Sequence, residues 1–319
     1  MCGICGVLNF NKTAINTQAL QRMADAIKHR GPDDQGIYHD QNIGLGHRRL
    51  SIIDLSSDAR QPMADSSNSY QLSYNGEIYN FREIRSELVK LGYRFRSQSD
   101  TEVVLNSYIE WGENCVRRFN GMFAFAIWDR KNESLFIARD RYGIKPLYYT
   151  FSGNSFIFSS EQKSLLEYPG VKREIDLETL PEYFTFQNIL TSRTLLKGIS
   201  LFPAGHYSKL ESDKRYTDLN AVQYWDYDFN EDSEIVSENE YLEELDRLFK
   251  QAVNRQLVSD VELGAYLSGG LDSGSITAVA AQELPYIKSF TCGFDLSLAS
   301  GLELTYDERK KSEFMSYLF

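Results

Sequence analysis

The sequence predicts an α/β protein of about two domains. The first is expected to be stacked sheets covered by helices, the second parallel strands and helices. Three features carry that prediction. Apolar runs of strand length at 122–128, 135–139, 147–149 and 156–158 read as strands buried on both faces. Segments near 17–29, 80–91 and 100–111 repeat apolar residues at helical spacing. Late in the chain, an apolar strand at 263–267 runs into a glycine-rich loop and then a helical stretch at 276–281.

In chain order, a strand at 4–8 follows directly on Cys2. Leu20, Met23, Ala24 and Ile27 mark one helix face, which Gly31 and Pro32 stop and Asp33-Asp34 turn away. The segment 43–54 is β-rich and cationic at its middle. A core strand has little use for adjacent Arg48 and Arg49, so at least one should face solvent or a ligand; an exposed strand-end arginine accounts for it as well. A strand at 70–74 runs into Asn75-Gly76, a hairpin-turn signal in its own right.

Asn80 with Glu83 three residues on has the form of a capping box, and Phe81, Ile84, Leu88 and Leu91 follow as the helix's inner face. The next helix opens at Ser99-Asp100-Thr101-Glu102, where an acid suits the N-terminus, and Gly112 ends it. Turns at 131–133 and 152–154 join the later strands. Expected boundaries are 2–210 for the first domain, 211–237 for a connection and 238–319 for the second. That second domain opens on an amphipathic helix near 238–258, with Leu242, Leu245, Leu248, Phe249, Ala252, Val253 and Leu257 on one face.

Composition narrows the classes. A hydrophobic content of 42% and an aromatic content of 13% suit packed cores and argue against disorder. The net charge of −11, with no basic patch, makes nucleic acid a poor partner. No apolar run reaches spanning length and no signal peptide is visible, so no membrane role is expected. Four scattered cysteines are too few for a disulfide framework, which favours a reducing cytoplasm.

Chemistry enters at the second residue. Cys2 is small enough for Met1 to be removed, and would then carry a thiol and a free α-amine on one residue. The thiolate is a strong nucleophile. The amine, with an ordinary pKa of about 7.7, suits a general base near neutral pH. Cys2 and Cys5 also form a C-x-x-C. No second such pair or histidine pair completes a zinc site, and the pair sits on a strand instead of opening a helix. Cys5 is therefore expected as a small buried strand residue.

The loop Ser268-Gly269-Gly270-Leu271-Asp272-Ser273 lies between an apolar strand and a helix, an arrangement that points backbone N–H groups at a phosphate. The hydroxyls of Ser268 and Ser273 add donors. Asp272 would repel bare phosphate and makes most sense with Mg²⁺ between them. The lysine of the G-x-x-x-x-G-K-[ST] loop is absent. Residues 287–294 read as the next parallel strand.

Taken together, the motifs resemble the N-terminal part of a glutamine-hydrolysing asparagine synthase. They are, in order, Cys2-Gly3-Ile4, His29-Arg30-Gly31-Pro32-Asp33, Arg49-Leu50-Ser51-Ile52, Asn75-Gly76-Glu77-Ile78-Tyr79-Asn80, Ser99-Asp100-Thr101-Glu102, Gly121-Met122-Phe123-Ala124-Phe125, Arg139-Asp140 and the loop 268–273. The resemblance implies an N-terminal-nucleophile αββα sandwich followed by an incomplete Rossmann-like parallel α/β ATP-pyrophosphatase domain. It implies that Cys2 attacks the glutamine side-chain amide, with its amine as base directly or through water. The Asn75 side chain and the Gly76 N–H would form the oxyanion hole. Arg49 would pair with the glutamine carboxylate, with Leu50, Ser51, Ile52 and Ile53 alongside, and Glu77 and Asp100 would hold the α-amine. In the second domain, ATP with Mg²⁺ would adenylate aspartate, which ammonia then attacks. Leu267 and Cys292 would flank adenine and ribose, residues 268–273 would hold the pyrophosphate, and Asp272 the metal.

Two departures from the resemblance stand out. Gly274 occupies a position usually held by Ser or Thr, and the chain stops at residue 319 without a second acidic loop. The remainder, about two strands and three helices, is small for burying both faces of a parallel sheet. The expectation is a truncated or split product, a homodimer or one half of a two-chain enzyme, that keeps glutamine hydrolysis while synthesis is impaired. A different acceptor for the ammonia, or a non-catalytic remnant, are the alternatives.

Overall fold

In a computed structural model of the chain, residues 1–230, 237–295, 297–298 and 300–318 are described. The stretch 231–236 of the expected connection and the terminal Phe319 lie outside them. Two compact units emerge, Met1–Asp228 and Phe229–Phe319.

The first unit contains twelve strands. These are β1 (Gly3–Asn9), β2 (Asp34–Asp40), β3 (Ile43–Arg49), β4 (Met63–Ala64), β5 (Tyr70–Ile78) and β6 (Gly121–Asp129), then β7 (Ser134–Arg139), β8 (Tyr148–Ser152), β9 (Ser155–Ser159), β10 (Ser200–Leu201), β11 (His206–Glu211) and β12 (Val222–Gln223). They form two six-stranded sheets, ordered β10-β8-β9-β1-β3-β2 and β12-β11-β7-β6-β5-β4. Neighbouring strands run antiparallel, as in β1–β3 and β5–β6.

Strand alternation builds the layers. Ile4 and Leu8 of β1 face a core shared with Ala124, Ala126 and Trp128 of β6 and Leu135 and Ile137 of β7, so this core lies between the sheets. Cys5 and Val7 point the other way and pack on Leu20, Met23 and Ala24 of the helix Thr17–Ala26. On the far side of the second sheet, Tyr108 of the helix Asp100–Trp111 stacks on Phe136 of β7, ring centroids 4.8 Å apart. The result is helix, sheet, sheet, helix. Each fully buried Leu or Phe contributes roughly 1.5–3 kcal/mol, which is why these continuous apolar strands cannot slip register without losing much of the fold.

Two local readings change, and that for Cys5 holds. Asn75-Gly76 is no turn, because it lies inside the nine-residue strand β5, paired with Ala124 and Phe123 of β6. Glycine at 76 instead answers a close approach: a Cβ there would sit 2.5 Å from the Met122 carbonyl oxygen. Asn80 precedes the helix Phe81–Lys90 but makes no side-chain cap. Its amide is drawn away to the Arg118 carbonyl and the Asn120 N–H, at 3.0 and 2.8 Å, tying that helix to the start of β6. Cys5 is fully buried, its thiol pushed up to about 12 by burial, and all four cysteines are free.

In the second unit, β13 (Gly264–Tyr266) pairs in parallel with β14 (Lys288–Phe290), with the helix Leu271–Glu283 between them. The helix Glu238–Gln256 opens on a capping box of Ser237 and Glu240. Only part of its expected apolar face is covered. Val253 is buried, and Phe249 and Leu257 pack with Val279, Ala280 and Ile287. Leu242, Leu245 and Leu248 remain exposed, as do Tyr266 and Phe290 on the two short strands.

Candidate active site

The first unit holds a cavity of about 320 Å³ with Cys2, Arg49, Asn75, Gly76, Glu77 and Asp100 in its wall. Residues as far apart in sequence as Cys2 and Asp100 meet there because β1 and β3 are neighbours in one sheet and β5 lies in the other.

Cys2 sits at the entry of β1. Its Sγ lies 3.4 Å from the Leu50 nitrogen, which donates to it, and 3.5 Å from the Leu50 carbonyl oxygen. Burial raises the thiol pKa, while the Leu50 hydrogen bond and the Met1 amine pull the other way. The His29–Asp33 motif frames this residue. Arg30 Nε donates to the Cys2 carbonyl at 2.9 Å, and its Nη1 reaches Glu161 at 3.0 Å. Gly31 lies against β3, where a Cβ would fall 2.3 Å from the Arg48 carbonyl carbon. The Asp33 carboxylate accepts the Ser51 N–H at 2.8 Å.

Both arginines of β3 are buried, for different reasons. Arg48 turns outward to the helix Thr17–Ala26, donating to the Ala24 carbonyl at 3.0 Å and pairing with Asp25. Arg49 turns into the cavity wall. The carbonyls of Ser56 and Asp54 hold its Nη1 and Nη2, which fixes the plane of the guanidinium. A planar fork held in this way is suited to a carboxylate.

On β5, the Asn75 amide is the most informative group. The residue is 1% exposed and its Nδ2 is buried with no hydrogen-bond acceptor. A buried donor without a partner costs about 1–3 kcal/mol, so its retention in a cavity wall marks a place where an acceptor belongs. Glu77 lies two residues on, its carboxyl pKa raised by burial. Asp100, at the start of its helix, is pushed up to about 6, again by burial. It accepts from the Tyr74 hydroxyl at 2.6 Å and from the Ile78 N–H at 3.0 Å.

Of the residues expected around glutamine, Leu50, Ile52 and Ile53 also line the cavity. Ser51 does not; its N–H is spent on Asp33. Of the other wall residues, Gln61, Tyr74 and Lys145 stand in none of the motifs, while Thr101 and Met122 stand in motifs but had no expected role. Gln61 supports β5 by accepting the Tyr74 N–H at 2.7 Å. Lys145 had one usable signal, its place just after Arg139-Asp140.

In the second unit, Gly270 is the N-cap of the helix Leu271–Glu283 and provides no side-chain cap. The first N–H groups of that helix are thus left for an external acceptor. Ser268 and Ser273 brace the loop: their hydroxyls lie 2.8 Å apart, and Ser273 accepts the Ser268 N–H at 3.0 Å. Gly269 carries the Lys311 side chain against it, and a Cβ at Gly274 would fall 2.1 Å from Met315 Cε. Met315 thus fills the space that a larger residue at 274 would need. Leu267 is buried, while Leu271, Asp272 and Cys292 are exposed. Among the described residues, no group of three or more His, Cys, Asp or Glu gathers to hold a metal ion. No helix among them is long and apolar enough to cross a membrane.

Comparison with known proteins agrees with these two units. Residues 1–225 match the family described as glutamine amidotransferase domain, and residues 244–317 match asparagine synthase. The chain is 42% identical to asparagine synthetase [glutamine-hydrolyzing] 3 of Bacillus subtilis, over 88% of this chain and 45% of that one. It is 38% identical to asparagine synthetase [glutamine-hydrolyzing] 1 of the same organism, over 92% of this chain and 46% of that one. The chain therefore spans about half the length of these relatives. Among solved structures, the glutamine phosphoribosylpyrophosphate amidotransferase of B. subtilis shares the fold, with a TM-score of 0.51 at 16% identity, covering 91% of this chain and 65% of that one. With more than two thirds of its length matched to it, the chain belongs to the glutamine amidotransferase domain family, and its second unit matches asparagine synthase.

Proposed function

We propose that the first unit hydrolyses glutamine to glutamate and ammonia at Cys2, after removal of Met1. The observation that carries this reading is the unpartnered Asn75 Nδ2 in the wall of the cavity that holds the Cys2 thiol. The α-carboxylate of glutamine lies on the Arg49 fork and its α-ammonium on Glu77 and Asp100. The Cys2 thiol gives its proton to the α-amine and the sulfur attacks the side-chain amide carbon. Negative charge develops on the amide oxygen, where Asn75 Nδ2 and the Gly76 N–H receive it. Collapse expels ammonia, which takes the proton from the amine and leaves a glutamyl thioester. Water, deprotonated by the same amine, then attacks the thioester and releases glutamate, restoring the thiol.

For the second unit, we read the loop 268–273 as the pyrophosphate cradle of an ATP site. Its fit rests on the uncapped helix start at Gly270 and the two braced hydroxyls. Mg²⁺ held by Asp272 would offset the charge between that carboxylate and the phosphates. Leu267 and Cys292 flank the nucleoside. Aspartate is the acceptor proposed: ATP converts its side-chain carboxylate to an acyl-adenylate with loss of pyrophosphate, and ammonia displaces AMP to give asparagine. The cytoplasm, which keeps such a thiol reduced, is the proposed compartment.

The test is glutamate release from glutamine by the parent chain and by Cys2→Ala. The reading requires turnover in the parent and none in the variant; equal turnover in both would reject it.

A further inference from the structure

Arg139-Asp140 stands out in the sequence, yet neither side chain reaches the cavity. Both are spent on the loop that follows and on its anchors at Phe123 and Phe202. The Asp140 carboxylate accepts the N–H groups of Tyr142, Ile144 and Lys145 at 3.1, 2.9 and 3.0 Å, and that of Phe123 at 3.2 Å. The Arg139 guanidinium donates from Nε to the Lys145 carbonyl at 2.8 Å, and from its two Nη atoms to the carbonyls of Phe202 and Gly143 at 2.5 Å each. Gly143 adopts φ +65°, and a Cβ there would meet Arg139 Cζ at 2.9 Å. The loop is thus held from both ends of its peptide units, and what it presents is Lys145.

Lys145 is 3% exposed and lines the cavity beside Cys2 and Glu77. Its Nζ makes no hydrogen bond or ion pair with any described residue. A lysine side chain taken this far out of water is costly, and a clasp of seven hydrogen bonds that delivers one to this wall points to a task there. We propose that Lys145 is a positioning residue for the Cys2 nucleophile: its ammonium, delivered by the Arg139–Asp140 clasp, favours the ionised thiol and the free amine over their protonated forms.

This rests on the glutaminase reading of Cys2. The charges around the site are Arg49 from β3, Glu77 from β5, Asp100 from its helix, Arg30 from the segment before β2, Asp140 from the clasp and the Met1 amine. Burial is the largest influence on the thiol and raises its pKa; Lys145 opposes that, whereas Asp100 adds to it. With Met1 present, burial also lowers the pKa of the Met1 amine, and Lys145 and Arg30 lower it further, against Cys2 and Glu77; a nearby cation acts in the same direction on the Cys2 amine that takes its place. Removing the ammonium therefore moves thiol and amine in the direction that weakens attack.

The test uses the full chain with Cys2 as its confirmed N-terminus, and the variants Lys145→Met, Lys145→Gln and Lys145→Arg. The first readout is the rate of Cys2 alkylation by iodoacetamide against pH, followed by peptide mass, which needs no glutamine. The second is kcat and KM for glutamine hydrolysis. Lys145→Met and Lys145→Gln should shift the alkylation profile upward by about one pH unit, slow it about tenfold at neutral pH and lower kcat more than they raise KM. Lys145→Arg should restore most of both. An alkylation profile unchanged in whichever neutral variant melts like the parent would overturn the proposal. If Cys2→Ala retained glutaminase activity, the glutaminase reading would fall instead, and the alkylation profile would still decide what Lys145 does to the thiol.

Discussion

The Tyr74 hydroxyl donates to the Asp100 carboxylate at 2.6 Å, and so joins the strand that carries Asn75 to the helix that carries Asp100. Two residues of the proposed substrate site are thereby fixed relative to each other before substrate arrives. Tyr74 is itself buried, and its backbone N–H is held by Gln61.

Burial of Asp100 sets a pH dependence, which the Tyr74 hydrogen bond opposes. Burial holds Asp100 at about 6 in the fold, against about 3.9 when unfolded. The folded state thus binds the proton more tightly. The stabilisation from this group is fully present below the unfolded value and is lost as pH rises through about 6. Asp100→Asn should therefore remove a stability loss between these values, measured as the change in Tm with pH relative to the parent. Because glutamine's ammonium needs the carboxylate ionised, the parent's kcat/KM should also fall below pH about 6.

Asn75→Ala removes the unpartnered donor. The expected loss is about 10²–10³ in kcat, with KM little changed and melting equal to or slightly above the parent's. A loss confined to KM would place Asn75 on the substrate's ground state instead of its oxyanion.

Arg49→Lys keeps the charge and loses the fork. The carbonyls of Ser56 and Asp54 hold two arms of the present guanidinium, and an ammonium cannot serve them and a carboxylate together. KM for glutamine should rise by roughly tenfold or more, read from initial rates, while the reactivity of Cys2 toward iodoacetamide stays as in the parent.

Gly31→Ala tests the frame around Cys2. Its new methyl would meet the Arg48 carbonyl carbon at 2.3 Å, backbone that cannot give way cheaply. The expected cost is about 1–3 kcal/mol, seen in denaturant unfolding. Activity should fall as well, since β3 carries Arg49.

Much of this site was legible from residue order. Cys2, Arg49, Asn75, Gly76, Glu77 and Asp100 belong to motifs, and the structure brings all six to one cavity. What the sequence misplaced were groups whose local preference lost to long-range pairing. Asn75-Gly76 reads as a turn in isolation, but β6 offers it ladder partners along its whole length. Asn80 has the form of a cap, but Arg118 and Asn120 compete for its amide. Gln61, Tyr74 and Lys145 reach the cavity only through such tertiary contacts, and no periodicity marks them. In the second unit, helical spacing correctly placed the helix Glu238–Gln256 but overstated how much of its face is covered, since spacing shows which residues share a side and not what lies opposite.

The central claim is that one residue, Cys2, supplies both nucleophile and base. The most direct measurement compares glutamate release from two preparations of the chain, one with Met1 removed and one with Met1 retained, each confirmed by intact mass. Release should occur with Cys2 at the N-terminus and be lost when Met1 remains, because the amine then belongs to a different residue. Equal release from both preparations would contradict the account.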